Sequence, residues 1–312
     1  GLSRAGAGVS ERRLGLGIDV GGTKIAAGIV DLETGEILDR RIVPTNAERG
    51  GRAVLDDMFA VAQELANAPL ESIGVGVPEI VNPVGEIQTD AVISWIGLPV
   101  VQTLGVIAPA VIEADVRAAA LAESRFGAGR GRGSFVYLTI GTGISSTIVL
   151  DGQPLAGARG GALVMASAPL DITCAKCGER SAVILEEFAG GPAIARRFAQ
   201  ATGRDTSGAV EVVEAAETGD LIAREILASS GREIGVSLAF LMNVVDPESI
   251  VVGGGLGNAR GVFWESLIES TRQHIWNPSA HDLPIDRAHF GPESGIIGAA
   301  LAAMHENQGS QR

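Results

Sequence analysis

The sequence predicts an α/β fold with buried sheets that are parallel or mixed. Hydrophobic residues make up 46% of the 312 residues and aromatic residues only 4%, so the core consists mainly of Val, Ile, Leu and Ala. This composition is typical of buried strands that helices cover. Several short apolar runs also end in glycine-rich turns, and segments of helical periodicity separate them. The length allows two domains, each with its own core.

The first glycine turn lies in the segment Gly15-Leu-Gly-Ile-Asp-Val-Gly-Gly-Thr-Lys24, and the apolar run Ile25–Val30 follows it. The pattern predicts a short buried strand that ends at Asp19, a turn through Gly21 and Gly22, and a second strand. Taken alone, two glycines after a strand also fit a plain hairpin. The Walker-type spacing G-x-x-x-x-G-K-[ST] is absent.

The chemistry of this turn suits a polyphosphate with its Mg²⁺. The two glycines and Thr23 let main-chain N–H groups approach a ligand without a Cβ in the way. Asp19 is placed to hold a hydrated cation, and Lys24 is placed to meet negative charge.

Three more segments strengthen the phosphate-site interpretation. Phe135–Gly152 repeats the unit of strand, turn and strand around Gly141-Thr142-Gly143. Ser249–Leu256 is a predicted buried strand that ends in Gly253-Gly254-Gly255, where a base or ribose can lie flat against the backbone. The third segment, Pro109–Asp115, is a predicted strand that runs into a charged end, before a predicted helix over 116–126.

These motifs in this order resemble the actin-like sugar kinase fold, and most closely the ROK family (repressors, open-reading-frame proteins and sugar kinases). The resemblance runs from about Leu14 to about Met304. It implies an actin-like (ribonuclease H-like) α/β fold of two domains with an active-site cleft between them, and ATP with Mg²⁺ as cofactors. It assigns phosphate contacts to Gly21, Gly22, Thr23, Lys24, Gly141, Thr142 and Gly143, and adenosine contacts to Gly253, Gly254 and Gly255. Asp115 becomes the general base, although a helix N-cap is the plain structural alternative for an Asp at this position.

The resemblance and the order of elements together predict the domain limits. Residues 1–13 form a disordered tail, residues 14–114 with a C-terminal helix over 294–308 form a small acceptor-binding domain, and residues 115–293 form a large domain for nucleotide binding and dimerisation. Helical periodicity predicts helices over Ala53–Ala66, Ala182–Ala201, Val210–Thr218 and Leu221–Val245.

The acceptor side departs from the family pattern. Val164 stands where the family has the Glu that grips sugar hydroxyls, and Ser167 where it has a His that binds sugar and metal. Family Asn positions are occupied by Ala91, Ala114 and Arg117. The phosphate turns and the base are therefore kept while the hydroxyl-binding shell is rewritten.

Three carboxylates are candidate new readers of the acceptor, beside the apolar Val164. They are Glu79, where the family has Gly, and Asp90 and Glu113. The structural alternative for each is a solvated loop residue or a strand-end cap.

The family's zinc motif is incomplete in this chain. Cys174 and Cys177 remain without a third Cys, and all four histidines lie far along the chain. Because a closed structural zinc site needs four ligands, a vestigial thiol pair is the simpler interpretation.

Charge and composition exclude several classes of function. A net charge of −13 argues against nucleic acid as a partner. The basic tract Gly127–Gly133 lacks aromatics and repetition and is interpreted as a solvated loop. About thirteen residues precede the first predicted strand, too few for the winged helix of a ROK repressor. The absence of an apolar run long enough for a membrane span, together with two cysteines, predicts a reducing cytoplasm.

The sequence therefore predicts an ATP-dependent phosphotransferase that acts on a hydroxyl, most simply a primary one, of a hexose-like acceptor. The rewritten shell points to an unusual sugar, an amino sugar or a C7-cyclitol. Two alternatives stay open: a catalytically silent binding protein, and inorganic polyphosphate as donor. The resemblance also implies a homodimer.

Overall fold

The computed structural model describes residues 12–173, 178 and 180–309. Contacts divide the chain into two units. Unit 1 contains residues up to 80, residues 85–118 and residues from 295 onward, and unit 2 contains residues 81–84 and 119–294. The predicted tail of residues 1–13 lies outside the described residues except for its last two positions.

Twelve strands and ten helices, apart from short 3-10 turns, are found in the described residues. The strands are β1 Leu14–Val20, β2 Lys24–Asp31, β3 Ile37–Pro44, β4 Ser72–Val77, β5 Ala110–Ala114, β6 Ser134–Ile140, β7 Ile144–Leu150, β8 Gln153–Pro154, β9 Pro169–Thr173, β10 Arg180–Ile184, β11 Ser249–Gly253 and β12 Ile285–Arg287. The helices are α1 Gly51–Leu65, α2 Val100–Leu104, α3 Asp115–Phe126, α4 Leu185–Ala189, α5 Gly191–Thr202, α6 Ala209–Glu217, α7 Leu221–Val245, α8 Gly254–Gly257, α9 Val262–His274 and α10 Ser294–Gly309. None of these helices is both long and apolar enough to cross a membrane.

Unit 1 is built on a five-stranded mixed sheet with the order β3-β2-β1-β4-β5. The hairpin β1–β2 and its neighbour β3 are antiparallel, whereas β1, β4 and β5 run parallel. The carboxyl ends of three neighbouring strands therefore meet at one edge of the sheet.

Unit 2 contains a second five-stranded sheet with the order β12-β11-β6-β7-β8, and a separate hairpin, β9–β10. Strand β6 pairs antiparallel with β7 and parallel with β11, so this sheet repeats the arrangement of β1 with β2 and β4. Its hydrophobic core joins apolar side chains of the sheet to those of α4 to α9. The predicted α/β class with mixed sheets is confirmed.

Most predicted elements agree with the structure, including the helix Leu221–Val245. The predicted single helix Ala182–Ala201 is wrong. Arg180–Ile184 is a strand that pairs antiparallel with Pro169–Thr173, and two helices separated by Gly190 follow it. Pairing with an earlier strand of the chain overrode the local helical periodicity. The periodicity is read from neighbouring residues alone, and these do not include the partner strand.

A row of three glycines crosses the sheet of unit 1 beneath α10. Gly28, Gly17 and Gly74 lie opposite one another on β2, β1 and β4. A Cβ placed on Gly17 would lie 1.8 Å from the carbonyl oxygen of Ile296, and one on Gly74 would lie 1.7 Å from that of Ala299. The helix backbone therefore rests directly on the sheet, and no side chain would fit at Gly17 or Gly74.

The composition of α10 fits this position. Its residues from Ile296 to Ala303 are almost entirely apolar and small, and the described apolar side chains in this stretch are buried. A helix that is apolar on all sides is typical of a buried core helix.

We predict that Gly17→Ala and Gly74→Ala each destabilise the protein strongly, because the added methyl group would collide with helix backbone that has no rotamer with which to move away. The expected cost is about 3 kcal/mol, at the upper end of overpacking effects. Thermal unfolding followed by circular dichroism measures it as a lowered midpoint. Gly161→Ala is the control, since a Cβ there meets no atom within 4 Å; an equal shift in the control would contradict the prediction.

Candidate functional site

Four carboxylates gather at the edge where the parallel strands of unit 1 end. In the sheet register Asp19 lies opposite Gly76, and Gly76 lies opposite Glu113. Asp115 follows β5 as the first residue of α3, and Glu79 follows β4 by two residues. The fold thus brings together residues that are widely separated in sequence.

Gly76 separates two of these acids. A Cβ on Gly76 would lie 3.7 Å from both the Asp115 Cα and the Asp19 Oδ1. Burial raises the pKa of Asp115 to about 7, and the charges of Asp19 and Glu79 act in the same direction. A hydrogen bond of 2.6 Å from the Val116 N–H to Asp115 Oδ1 opposes this rise. A carboxyl that titrates near neutrality is suited to exchange protons with a substrate hydroxyl.

Asp19 lies against the first turn of α10. A Cβ on Gly295 would lie 2.4 Å from the Asp19 Cγ, so only glycine fits there. Burial raises the pKa of Asp19 to about 6, and the charge of Lys24 opposes the rise. The positive end of the helix dipole also favours the ionised form. A carboxylate with little compensating charge is a fitting partner for a hydrated cation.

The turn Gly21–Lys24, the predicted first phosphate turn, is held in unit 1 by hydrogen bonds to its own strand and to Thr45. The Gly21 N–H donates to the Lys24 carbonyl at 2.9 Å. The Thr45 hydroxyl donates to the Gly21 carbonyl at 2.6 Å, and the Thr45 N–H donates to the Thr23 carbonyl at 3.0 Å. Gly22, Thr23 and Lys24 are exposed. The turn is therefore fixed while its outer face stays open.

The turn Gly141–Gly143, the predicted second phosphate turn, is held in unit 2 by hydrogen bonds. The Gly141 N–H donates to the Gly143 carbonyl at 2.9 Å, and the Gly191 N–H donates to the Gly141 carbonyl at 2.9 Å. Glu186 on α4 accepts a hydrogen bond of 2.7 Å from the Ile144 N–H, and a Cβ on Gly143 would lie 2.7 Å from the same carboxylate oxygen. The sequence motif of this turn does not include Glu186, because Glu186 lies more than 40 residues beyond the turn that it supports.

The triple-glycine segment divides into two parts. Gly253 and Gly254 pack on β6: a Cβ on Gly254, which has φ +82°, would lie 2.3 Å from the Ile140 carbonyl oxygen, and one on Gly253 would lie 2.8 Å from the Tyr137 hydroxyl. A Cβ on Gly255 would meet no atom within 4 Å.

Gly255 borders a cavity of about 830 Å³ in unit 2. Gly141 and Thr142 of the second phosphate turn also line it, and α5 and α6 supply apolar walls that include Pro192 and Val213. The cavity is large enough for a nucleoside, and the open side of Gly255 leaves room for one.

The three candidate acceptor carboxylates already have protein partners. Glu79 is 3% exposed and accepts from the N–H groups of Val92 and Ile93 and from the Trp95 indole. Burial raises the pKa of Glu79, and these hydrogen bonds oppose the rise.

Asp90 and Glu113 are engaged in a similar way. One Asp90 oxygen, Oδ1, accepts from the N–H groups of Trp95 and Ile96 at 2.7 and 3.0 Å. Glu113 accepts from the buried Arg117 guanidinium at 2.7 Å. The capping alternative therefore has direct support for all three, whereas contact with an acceptor stays a prediction.

Val164 and Ser167 lie in one loop of unit 2. Val164 is 49% exposed, and the Ser167 hydroxyl donates to the Val164 carbonyl at 2.9 Å. Leu163, just before, has φ +57°, a left-handed conformation that a Leu rarely adopts. Ser146 donates to the Leu163 carbonyl at 2.5 Å. The loop is thus held in a strained form, which is common at ligand sites.

The cysteine pair cannot be placed, because Cys174 and Cys177 lie outside the described residues. Within the parts of the chain that the structure does describe, no group of three or more His, Cys, Asp or Glu side chains forms a metal cluster. His274 and His281 bond to the carbonyls of Ser270 and Ile275.

We predict that Asp115→Asn stabilises the metal-free protein at alkaline pH. Since the native pKa of Asp115 is raised, stability present at low pH is lost as pH rises through about 7, when the buried carboxyl must ionise. Asn has no such penalty, so its advantage in unfolding free energy should grow between pH 5 and pH 8 by on the order of 2 kcal/mol. Thermal midpoints in chelator measure it, with exposed Asp56→Asn as control. A difference that does not change with pH would contradict the assignment.

Comparison with known proteins places these features in a family. The ROK family model matches residues 15–306. The chain is 34% identical over 299 residues to the bifunctional enzyme NanE/NanK of Brucella suis. This alignment covers 93% of this chain and 53% of that protein. It is 30% identical over 316 residues to the glucokinase of Streptomyces coelicolor, with 92% and 96% covered. The chain thus spans about half the length of its NanE/NanK relatives.

Solved structures agree. The ROK hexokinase from Thermus thermophilus superposes with a TM-score of 0.79 at 33% identity, covering 95% of this chain and 99% of that one. A ROK family glucokinase from Streptomyces griseus, in complex with glucose and AMPPNP, gives a TM-score of 0.78 at 28% identity, with 94% and 99% covered. Because the family model matches nearly the whole chain and these kinases share its architecture, this protein belongs to the ROK family and has the actin-like fold of its sugar kinases.

Proposed function

We propose that the chain is an ATP-dependent carbohydrate kinase that phosphorylates a hydroxyl, most simply a primary one, of a hexose-like acceptor. The observation that carries the proposal is the position of Asp115 at the strand edge, beside Asp19 and near the first phosphate turn. Curated ROK relatives that are glucokinases and N-acetylmannosamine kinases support it.

We propose that the donor contacts are those that the family resemblance assigns. Gly21, Gly22, Thr23 and Lys24 would contact phosphates, and Gly141, Thr142 and Gly143 would also do so. The cavity beside Gly255 would take the adenosine. Main-chain donors held by hydrogen bonds need no reorganisation when charge develops on the phosphates.

In the proposed reaction, the acceptor oxygen attacks the γ-phosphorus of ATP, the bond to the β-phosphate oxygen breaks, and ADP leaves. The hydroxyl proton passes to the Asp115 carboxylate. Asp19 would hold Mg²⁺ through water, and the ion would neutralise charge on the phosphates. The low charge compensation of the buried Asp19 fits such a cation.

The acceptor that fits best is an unusual sugar, an amino sugar or a C7-cyclitol. Val164 and Ser167 replace the Glu and His with which the family grips a hexose, and the Ser167 hydroxyl is bonded within its own loop. Losing those two groups removes recognition of the anomeric end. An ATP donor would fit the cytoplasmic location that the sequence predicts.

The test is a coupled assay of ADP release with ATP as the donor. A separate assay measures turnover with inorganic polyphosphate as the donor. The acceptors are glucose, N-acetylglucosamine, N-acetylmannosamine, 3-amino-3-deoxyglucose and C7-cyclitols. We expect turnover on one acceptor class, reduced roughly 10²- to 10⁴-fold in Asp115→Asn, and unchanged in the control Asp56→Asn, whose carboxylate is a surface group. Binding of ATP without turnover on any acceptor would contradict the proposal and favour a silent binding protein.

We also propose that the protein is a homodimer through α7. Val236, Phe240 and Val244 recur at four-residue intervals on this helix and are 39%, 66% and 62% exposed. Asn243 bonds the backbone at His274 and Trp276, which brings Trp276, 86% exposed, close to this helix face. Adjacent exposed aromatic and aliphatic side chains are typical of an interface.

For the dimer, we expect Phe240→Asp to convert the protein to a monomer in light scattering after size exclusion. Leu221→Asp is the control and should stay dimeric, because Leu221 is an apolar position at the start of the same helix that is 78% exposed. A monomeric wild-type protein would contradict this assembly without affecting the proposed kinase activity.

A further inference from the structure

The loop of residues 90–96 in unit 1 is packed between the first phosphate turn and the start of α1. On one side, a Cβ on Gly22 of the first phosphate turn would lie 3.2 Å from the Val92 Cγ1. On the other side, a Cβ on Gly51, at the start of α1, would lie 2.1 Å from the Ser94 carbonyl oxygen. The loop therefore borders the place where the phosphate that is transferred would lie, and it has little space in which to shift.

The buried carboxylate of Glu79 holds this loop by hydrogen bonds. Glu79 Oε1 accepts from the N–H groups of Val92 and Ile93 at 3.2 and 2.8 Å, and Glu79 Oε2 accepts from the Trp95 indole at 2.7 Å. Hydrogen bonds to a charged acceptor are about twice as strong as neutral ones. Both oxygens are engaged, and the side chain is 3% exposed.

We propose that Glu79 is a positioning residue for acceptor recognition, which sets the arrangement of the 90–96 loop beside the first phosphate turn instead of contacting the acceptor itself. The inference rests on the proposed function, because it takes the loop as a wall of the acceptor site. The burial of Glu79 and the use of both its oxygens favour this role over direct recognition of a sugar hydroxyl.

Asp90 offers a matched comparison. It also caps the loop, through the N–H groups of Trp95 and Ile96, but both of these bonds end on one oxygen, Oδ1. An Asn at position 90 can keep both bonds with its single carbonyl oxygen. A Gln at position 79 cannot, because its NH₂ group would face a donor in place of one oxygen.

The experiment compares Glu79→Gln, Glu79→Asp and Asp90→Asn with the wild type. For Glu79→Gln we expect the acceptor KM to rise at least tenfold, with the ATP KM within twofold and kcat within threefold. Glu79→Asp, which keeps both oxygens one methylene group further back, should be intermediate. The surface variant Asp56→Asn should keep the wild-type KM, and Asp90→Asn serves only as the comparison for the second readout. Thermal midpoints show whether each variant is folded.

A second readout does not depend on turnover. In protein labelled with ¹⁵N-tryptophan, the Trp95 indole resonance is assigned with Trp95→Phe. It should move in Glu79→Gln and stay in place in Asp90→Asn, because the indole donates to Glu79 whereas Asp90 accepts from the Trp95 main-chain N–H.

The outcomes separate the two proposals. An unmoved indole resonance in Glu79→Gln would overturn the anchoring of the loop. A moved resonance with an unchanged acceptor KM would overturn the role in acceptor recognition. A wild-type protein without turnover on any acceptor would overturn the proposed function, and with it that role, whereas the resonance would still report the anchoring.

Discussion

The close approach of α10 to the sheet of unit 1 is the constraint on which the rest of the site depends. Gly28, Gly17 and Gly74 form a row without side chains. The helix backbone lies against Gly17 and Gly74, and the Ile296 side chain lies against Gly28. The same approach places Gly295 against the carboxylate of Asp19. The packing of one apolar helix on three glycines thus determines the surroundings of an acid at the strand edge.

The electrostatics of the site follow from that packing. Burial raises the pKa of Asp19, and the charge of Lys24 opposes this rise. Burial also raises the pKa of Asp115, and the charge of Asp19 adds to that rise. The register of the parallel strands makes this coupling unavoidable, since it leaves only Gly76 between the two acids. A cation near Asp19 would relieve both effects together, which ties metal binding to the proton affinity of the proposed base.

Much of this arrangement is readable from the sequence, because strand-turn-strand units carry local signals. Apolar runs that end in glycine predicted both sheets, and 25 residues of helical periodicity predicted α7. Interactions with distant partners were less accessible. The strand Arg180–Ile184 was mistaken for helix. For Glu79 the sequence left both an acceptor contact and a cap open, because its hydrogen-bond partners are main-chain and indole N–H groups 13 to 16 residues further on, which no motif records.

The most direct test of the central claim is the chemical identity of the product. Proton-coupled ³¹P NMR of a reaction with ATP, Mg²⁺ and the acceptor panel identifies the group that receives the phosphoryl group. A triplet phosphomonoester signal, which reports two protons on the carbon next to the new ester oxygen, together with ADP, is the predicted result for a primary hydroxyl. ADP accompanied only by inorganic phosphate would show that water is the acceptor, and would contradict the account.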